Sequence, residues 1–207
     1  MSDAGPVVCV VDDDASFRQA VARLVRSAGM NAIAYGSAQE YLSSFDANRA
    51  GCLVLDLSMP DQSGLQLQNT LADGIGAPPI IFVTGQGDIP ASVQAMRRGA
   101  VEFLTKPVDD MVLLESIRSA IAKDEIDRSA MAELAAVRRS LATLTARESE
   151  VLRHVISGKL NKQIAGDLGT VEKTIKVHRS RLMAKLQVRS VAALVRLAEQ
   201  AGIQPVA

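Results

Sequence analysis

Leu53-Val54-Leu55-Asp56-Leu57-Ser58-Met59-Pro60 is the stretch on which the reading of this chain turns. Three apolar residues run without a break into an aspartate, and a turn follows. A short continuous apolar run fits a strand covered on both faces, as in a parallel sheet. In open α/β sheets, ligands bind outside the carboxyl ends of the strands. Asp56 stands at such an end, so the residues at the other strand ends decide what it can do.

Upstream, Val7 to Val11 reads as a first strand and ends in Asp12-Asp13-Asp14. Three adjacent carboxylates after a buried strand are costly unless solvated, capping or bound to a cation. Asp14 suits the cap of a helix carrying Phe17, Val21, Leu24 and Val25, which Gly29 stops. Asn31 to Tyr35 reads as a second strand, and Ser37 caps a helix with Tyr41, Leu42 and Phe45. Gly51 to Leu55 is the third strand. Met59 to Gly64 is turn chemistry leading into a helix with Leu65, Leu67 and Leu71. Pro79 to Val83 is a fourth strand, ending in Thr84-Gly85 and followed by a helix with Val93 and Met96. Val101 to Leu104 is a fifth, ending in Thr105-Lys106-Pro107 before a long helical pattern from about Asp109.

Five strand–helix repeats predict an α/β fold: a five-stranded parallel (βα)5 domain with helices on both faces. Asp12, Asp13, Asp56, Thr84 and Lys106 would then share one edge of the sheet. Carboxylates supplemented by waters suit a hard octahedral Mg²⁺, with the Ser58 backbone carbonyl as a further ligand. Lys106 offers a point charge, and Thr84 a hydroxyl, to phosphoryl oxygens. Asp56 is the expected nucleophile, since a carboxylate can accept a phosphoryl group as an acyl phosphate.

The segments VVDDD, LDLSMPDQSG, VTGQGD and GAVEFLTKP make residues 5–122 resemble the receiver domain of two-component response regulators, most closely the FixJ type. The resemblance implies Asp56 as phosphoacceptor and Asp12 and Asp13 as the acidic metal pair. It also implies Thr84 as switch hydroxyl, Phe103 as switch aromatic, Lys106 as phosphate sensor and a cis Lys106-Pro107 bond. Many FixJ-type sequences carry His where this chain has Gln86, a difference expected to alter acyl-phosphate lifetime.

The 207 residues have zero net charge, but the charge is unevenly placed. Residues 1–122 hold 8 Lys and Arg against 14 Asp and Glu, while residues 123–207 hold 15 against 9. An acidic half followed by a basic one predicts two domains with different partners, the second nucleic acid. No window approaches 18 consecutive apolar residues, which argues against a membrane span. The N-terminus lacks a basic segment before an apolar one, and the two cysteines, Cys9 and Cys52, fall in predicted buried strands. A reduced, cytoplasmic protein is expected.

Met111 to Leu144 contains neither Pro nor Gly and is rich in Ala, Glu, Arg and Leu, so helix is expected through a linker at residues 123–142. One long helix or two nearly continuous ones fit, acting as a solvated connector or as a short dimerising coiled coil. Asp124-Glu125-Ile126-Asp127-Arg128 interrupts its apolar stripe. Residues 143–207 read as four short helices. Thr145 and Glu148 form a capping box, Asn161 is the expected cap of the second helix, and Gly169-Thr170 makes a tight turn before a third. Two helices joined by such a turn are a helix-turn-helix signature. The third helix places Ile175, Leu182 and Leu186 inward and Lys173, Lys176, His178, Arg179, Arg181 and Lys185 outward, a face suited to phosphates and base edges.

The run from Leu144 to Val188 resembles the four-helix LuxR-type DNA-binding domain of FixJ/NarL regulators. The resemblance implies base contacts from Lys176, Val177 and Ser180. It implies backbone contacts from Thr145, Asn161, Lys162, Thr174, His178, Arg181 and Lys185. Many members carry a basic residue where this chain has Ser180, which here is flanked by Arg179 and Arg181.

The expected protein is a phosphorylation-switched transcription regulator. A sensor histidine kinase would phosphorylate Asp56, and the phosphorylated chain would homodimerise and bind duplex DNA. It would catalyse only its own phosphorylation and dephosphorylation. Phosphorylation could act by releasing a docked DNA-binding domain or by driving dimerisation alone. A haloacid-dehalogenase-like phosphohydrolase also uses an aspartate after a strand, but wants a second acid where this chain has Ser58. A third reading, a DNA-binding protein using its first half only to dimerise, leaves the acidic pocket without a purpose.

Overall fold

The computed structural model describes residues 5–72, 76–85 and 89–206. Gln86, and with it the question of acyl-phosphate lifetime, lies outside the described residues. The chain divides into two compact units, residues 1–128 and 129–207.

The first unit is built on five parallel strands: β1 (Val7–Val11), β2 (Asn31–Tyr35), β3 (Gly51–Leu55), β4 (Ile80–Thr84) and β5 (Glu102–Thr105). They are ordered β2-β1-β3-β4-β5. Every residue of β3 and β4 is buried, as expected of strands covered on both faces. The helices are α1 (Ala15–Ser27), α2 (Ala38–Ser43), α3 (Gly64–Ala72), α4 (Ile89–Arg97) and α5 (Asp110–Ala142). Side chains alternate across the pleat and feed two cores. Leu53, Leu55 and Phe82 pack with Tyr41, Leu67, Leu71 and Ala95 of α2, α3 and α4. Val8, Val10, Val54, Ile81 and Val83 pack with Val21 and Val25 of α1 and Leu113, Ile117 and Ala120 of α5.

Local signals act as their chemistry predicts. The Asp14 carboxylate accepts from the N–H groups of Ser16 and Phe17, and the Ser37 hydroxyl from that of Glu40. Cys9 and Cys52 are free buried thiols in opposite cores, and burial pushes Cys52 up to about 12. In α4, Val93 and Met96 face outward with Ile89, and Ala95 is buried.

The second unit packs α6 (Ala146–Ile156), α7 (Asn161–Asp167), α8 (Glu172–Lys185) and α9 (Val191–Gln200) around Leu152, Ile164, Ile175, Leu182 and Leu194. Thr145 and Glu148 form the reciprocal capping box ahead of α6. Asn161 is not the cap of α7. Leu160 takes that position, and its N–H donates to the Gln163 side chain at 2.8 Å, so Asn161 is the first helical residue. No helix among the described residues is long and apolar enough to cross a membrane.

Candidate functional site

Parallel strands in register bring their carboxyl ends to one edge. Val11 pairs with Leu55, so Asp12 and Asp56 are the next residues on neighbouring strands, and the Asp56 N–H donates to the Val11 carbonyl at 2.9 Å. Oxygens of Asp12, Asp13 and Asp56 lie within 4.8 Å of one another. Asp12 and Asp56 are buried and Asp13 is exposed. Lys106, just past β5, places Nζ 2.7 Å from Asp12 Oδ2 and 3.6 Å from Asp56 Oδ2. Its ammonium thus bridges two carboxylates that would otherwise repel. Burial raises the Asp56 carboxyl above its ordinary value. Lys106 opposes that rise, Asp12 adds to it, and the Ser58 and Leu57 N–H groups oppose it.

Thr84 is fully buried at the end of β4, and its carbonyl accepts the Lys106 N–H at 2.8 Å. Phe103 is half-buried on β5, its ring 6.2 Å from that of Phe82. The Lys106-Pro107 peptide bond is cis. Ser58 is exposed two residues past Asp56, and its N–H reaches Asp56 Oδ1 at 3.4 Å.

Three residues serve this edge beyond those singled out in the sequence. The Lys106 ammonium sits 4.1 Å over the Phe17 ring, a cation–π contact that holds the lysine at the site. Arg18 donates from one guanidinium nitrogen to the carbonyls of Asp12 and Asp13 and so braces the acidic turn. Gly64 closes the loop after Asp56, its N–H donating to the Leu57 carbonyl at 2.9 Å. A Cβ there would lie 2.4 Å from the Asp56 carbonyl oxygen. Phe17 looked like an ordinary core position, and Arg18 carried no signal in the sequence. Gly64 carried a signal, a glycine at the start of a helix, that turn chemistry alone absorbed.

In the second unit, α7 and α8 meet through a turn in which Gly169 has φ +61°. Ile175, Leu182 and Leu186 are buried, which turns the opposite side of α8 to solvent. Lys162, Lys173, Lys176, Ser180 and Arg181 are exposed, as is Val177; Thr174, His178 and Arg179 are half-buried. Arg179 donates to the Asn161 side-chain oxygen at 3.0 Å, and Lys176 pairs with Glu172 at 3.1 Å. Lys185 turns back to the domain: Nζ lies 2.7 Å from Glu148 Oε2 and 3.0 Å from the Thr143 carbonyl. The Lys185 contact, with the Thr145 N–H, lowers the buried Glu148 carboxyl to about 2.

Residues 8–118 match the response regulator receiver domain family, and residues 142–198 match the luxR family of bacterial regulatory proteins. This chain is a two-component response regulator. It is 43% identical to Nodulation protein W of Bradyrhizobium diazoefficiens, over 95% of this chain and 87% of that one. It is 38% identical to the transcriptional regulatory protein FixJ of Rhizobium meliloti, over 96% and 97%. Among solved structures, the response regulator StyR superposes with a TM-score of 0.85 at 44% identity, covering 95% of this chain and all of StyR. Full-length FixJ from B. japonicum gives 0.59 at 36% identity, covering 97% and 98%.

The regulator therefore joins a receiver to a LuxR-type DNA-binding domain, an architecture of transcriptional control rather than of enzymes acting on other substrates. A receiver implies a kinase partner and a helix-turn-helix implies DNA. In this receiver the acidic cluster has a donor set fit for a metal ion: three carboxylates and no nitrogen or sulfur ligand.

Proposed function

We propose that the regulator accepts a phosphoryl group on Asp56 from a sensor histidine kinase and answers by dimerising and binding promoter DNA. The observation that carries this is the bridging of Asp12 and Asp56 by Lys106 beside exposed Asp13. A nucleophile, a cation site and a phosphate-sensing ammonium converge at one sheet edge.

Mg²⁺ would be held by Asp12, Asp13, Asp56 and the Ser58 carbonyl. When bound, it supplies positive charge that offsets repulsion between carboxylate and phosphoryl oxygens. An Asp56 oxygen attacks phosphorus, forming the O–P bond as the N–P bond of the kinase phosphohistidine breaks and the imidazole nitrogen leaves with the bonding pair. Lys106 turns from Asp12 toward a phosphoryl oxygen, and Thr84 donates its hydroxyl to another. Reversal occurs when water attacks phosphorus, releasing inorganic phosphate and restoring the carboxylate; this self-catalysed step completes the cycle. As Thr84 moves inward it vacates space that Phe103 enters, since Phe103 already leans on Phe82 one strand away. The rearranged surface includes α4, whose outward Ile89, Val93 and Met96 favour self-association.

In the dimer, paired α8 helices would enter successive major grooves. Lys176, Val177 and Ser180 face base edges, with Val177 suited to a thymine methyl. Thr145, Asn161, Lys162, Thr174, His178 and Arg181 hold the backbone. Lys185 can do so only by loosening its pair with Glu148. The division of labour falls at 5–122 for phosphoryl acceptance, 123–142 for connection and 143–207 for DNA.

The test is acetyl-phosphate labelling in Mg²⁺, read by intact mass. One phosphoryl group per chain on Asp56, absent in Asp56→Asn, is expected, with operator binding rising in parallel. A labelled Asp56→Asn variant, or unchanged operator binding on labelling, overturns the reading.

A further inference from the structure

Helix α5 leaves the receiver core after Ala120 and Ile121, yet the first unit continues to Arg128. What holds these nearly two extra turns is polar. Asp124 is only 4% exposed, on a segment that reads from sequence as a solvated interruption. Its carboxylate accepts the Gly51 N–H at 2.9 Å and Arg128 Nε at 2.7 Å. The two terminal nitrogens of Arg128 donate to the Ala47 carbonyl at 2.9 Å and the Arg49 carbonyl at 2.8 Å. All three guanidinium nitrogens are thus engaged, using the planar fork that lysine lacks.

The loop so gripped is itself immobilised. Gly51 has φ +142°, and a Cβ there would lie 1.9 Å from the Val7 carbonyl oxygen. The Val7 N–H donates to the Ala50 carbonyl at 2.9 Å. Another side of the helix offers little support, because Lys123 and Asp127 pair with each other and border a cavity of about 150 Å³ with Gln68, Leu71 and Arg98. Asp124 and Arg128 are one turn apart, so together they set rotation about the helix axis as well as attachment.

We propose that Asp124 and Arg128 form a latch that makes the linker helix through Arg128 a rigid part of the receiver. The latch fixes the rotational phase of α5 on the receiver as far as Arg128. It grips the amino end of β3, whose carboxyl end carries Asp56. Its role is to convey the receiver's state along the helix, not to accept the phosphoryl group. This signalling role rests on the proposed function; the latch itself does not.

The test compares the full chain with Arg128→Ala, Arg128→Lys and Asp124→Asn. Hydrogen exchange of residues 45–52 and 121–132 should accelerate at least tenfold in each variant. Unchanged protection in β1 and β4 separates local release from unfolding. Beryllofluoride with Mg²⁺ should still protect the loop after Asp56, while its enhancement of operator binding falls at least fivefold. Unchanged exchange at 121–132 in Arg128→Ala and Arg128→Lys overturns the latch. Accelerated exchange with full enhancement of binding overturns its signalling role. No enhancement in the unaltered chain overturns the proposed function, and the exchange comparison then decides the latch by itself.

Discussion

Replacing Gly64 with alanine tests how tightly the loop after the phosphoacceptor is drawn onto the strand. The new Cβ would stand 2.4 Å from the Asp56 carbonyl oxygen and 2.9 Å from Phe82 Cε1. Neither neighbour can yield cheaply. The Asp56 backbone is tied to Val11 within the sheet, and Phe82 is fully buried. Gly64 is itself tied to Leu57. Overpacking of this kind costs about 1–3 kcal/mol. Alanine recovers up to ~1 kcal/mol of helix propensity, less at the first residue of α3. The net loss is about 1–2 kcal/mol, which for a domain of this size lowers the melting temperature by roughly 4–8 °C. Calorimetry on the full chain measures it, and acetyl-phosphate labelling should slow because Asp56 is displaced. Gly166→Ala is the control. Nothing lies within 4 Å of its Cβ, it is exposed within α7, and a gain of about 0.5–1 kcal/mol is expected. A Gly64→Ala chain that melts no lower than the unaltered one and labels at the same rate would refute the steric reasoning.

Glu148 predicts an acid-sensitive second unit. Its carboxyl is lowered to about 2, so its stabilisation is complete above the ordinary glutamate range and disappears as pH falls through about 2. NMR signals of residues 129–207 within the full chain should show Glu148→Gln removing that part of the acid dependence. Asp56 carries the opposite sign: its raised carboxyl makes ionisation unfavourable to folding, so Asp56→Asn should raise the melting temperature at pH 7. The gain should vanish below about pH 3.8, where folded and unfolded chains are both protonated. A gain of equal size at pH 3 and pH 7 would contradict the electrostatic account. Lys162→Ala should weaken duplex binding and reduce the slope of log affinity against log salt by about 0.9, as loss of one phosphate contact requires; an unchanged slope would remove Lys162 from the interface.

Much of the receiver was legible because its decisive residues occupy repeated local positions. Asp12, Asp56, Thr84 and Lys106 each follow an apolar run, so one pattern read several times locates the edge they share. Residues outside that repeated pattern, with remote partners of their own, were not legible. The polar run around Asp124 looked solvated, yet its partner is the Gly51 amide, 73 positions away. Lys185 looked like part of an outward basic face, yet it compensates Glu148, a buried acid that the capping box alone appeared to explain. Asn161 suits a helix cap by type, but Gln163 satisfies the Leu160 N–H and leaves Asn161 to Arg179. In α4, Ile89, Val93 and Met96 face outward, and periodicity does not tell a face that meets a core from one that meets solvent.

The order β2-β1-β3-β4-β5 has a consequence of its own. After β1 the chain turns to the face carrying α1, whereas after β3 it turns to the opposite face, carrying α3. The two loops part in opposite directions at the neighbouring strands where the winding reverses, the place at which open α/β sheets form a ligand crevice. Asp12 and Asp56 are the first residues after those two strands. Access to the acceptor is therefore a product of winding, present before any side chain is chosen. A permuted sheet in which β1 and β3 were not neighbours would keep every residue of the site and lose the opening that lets a phosphodonor in.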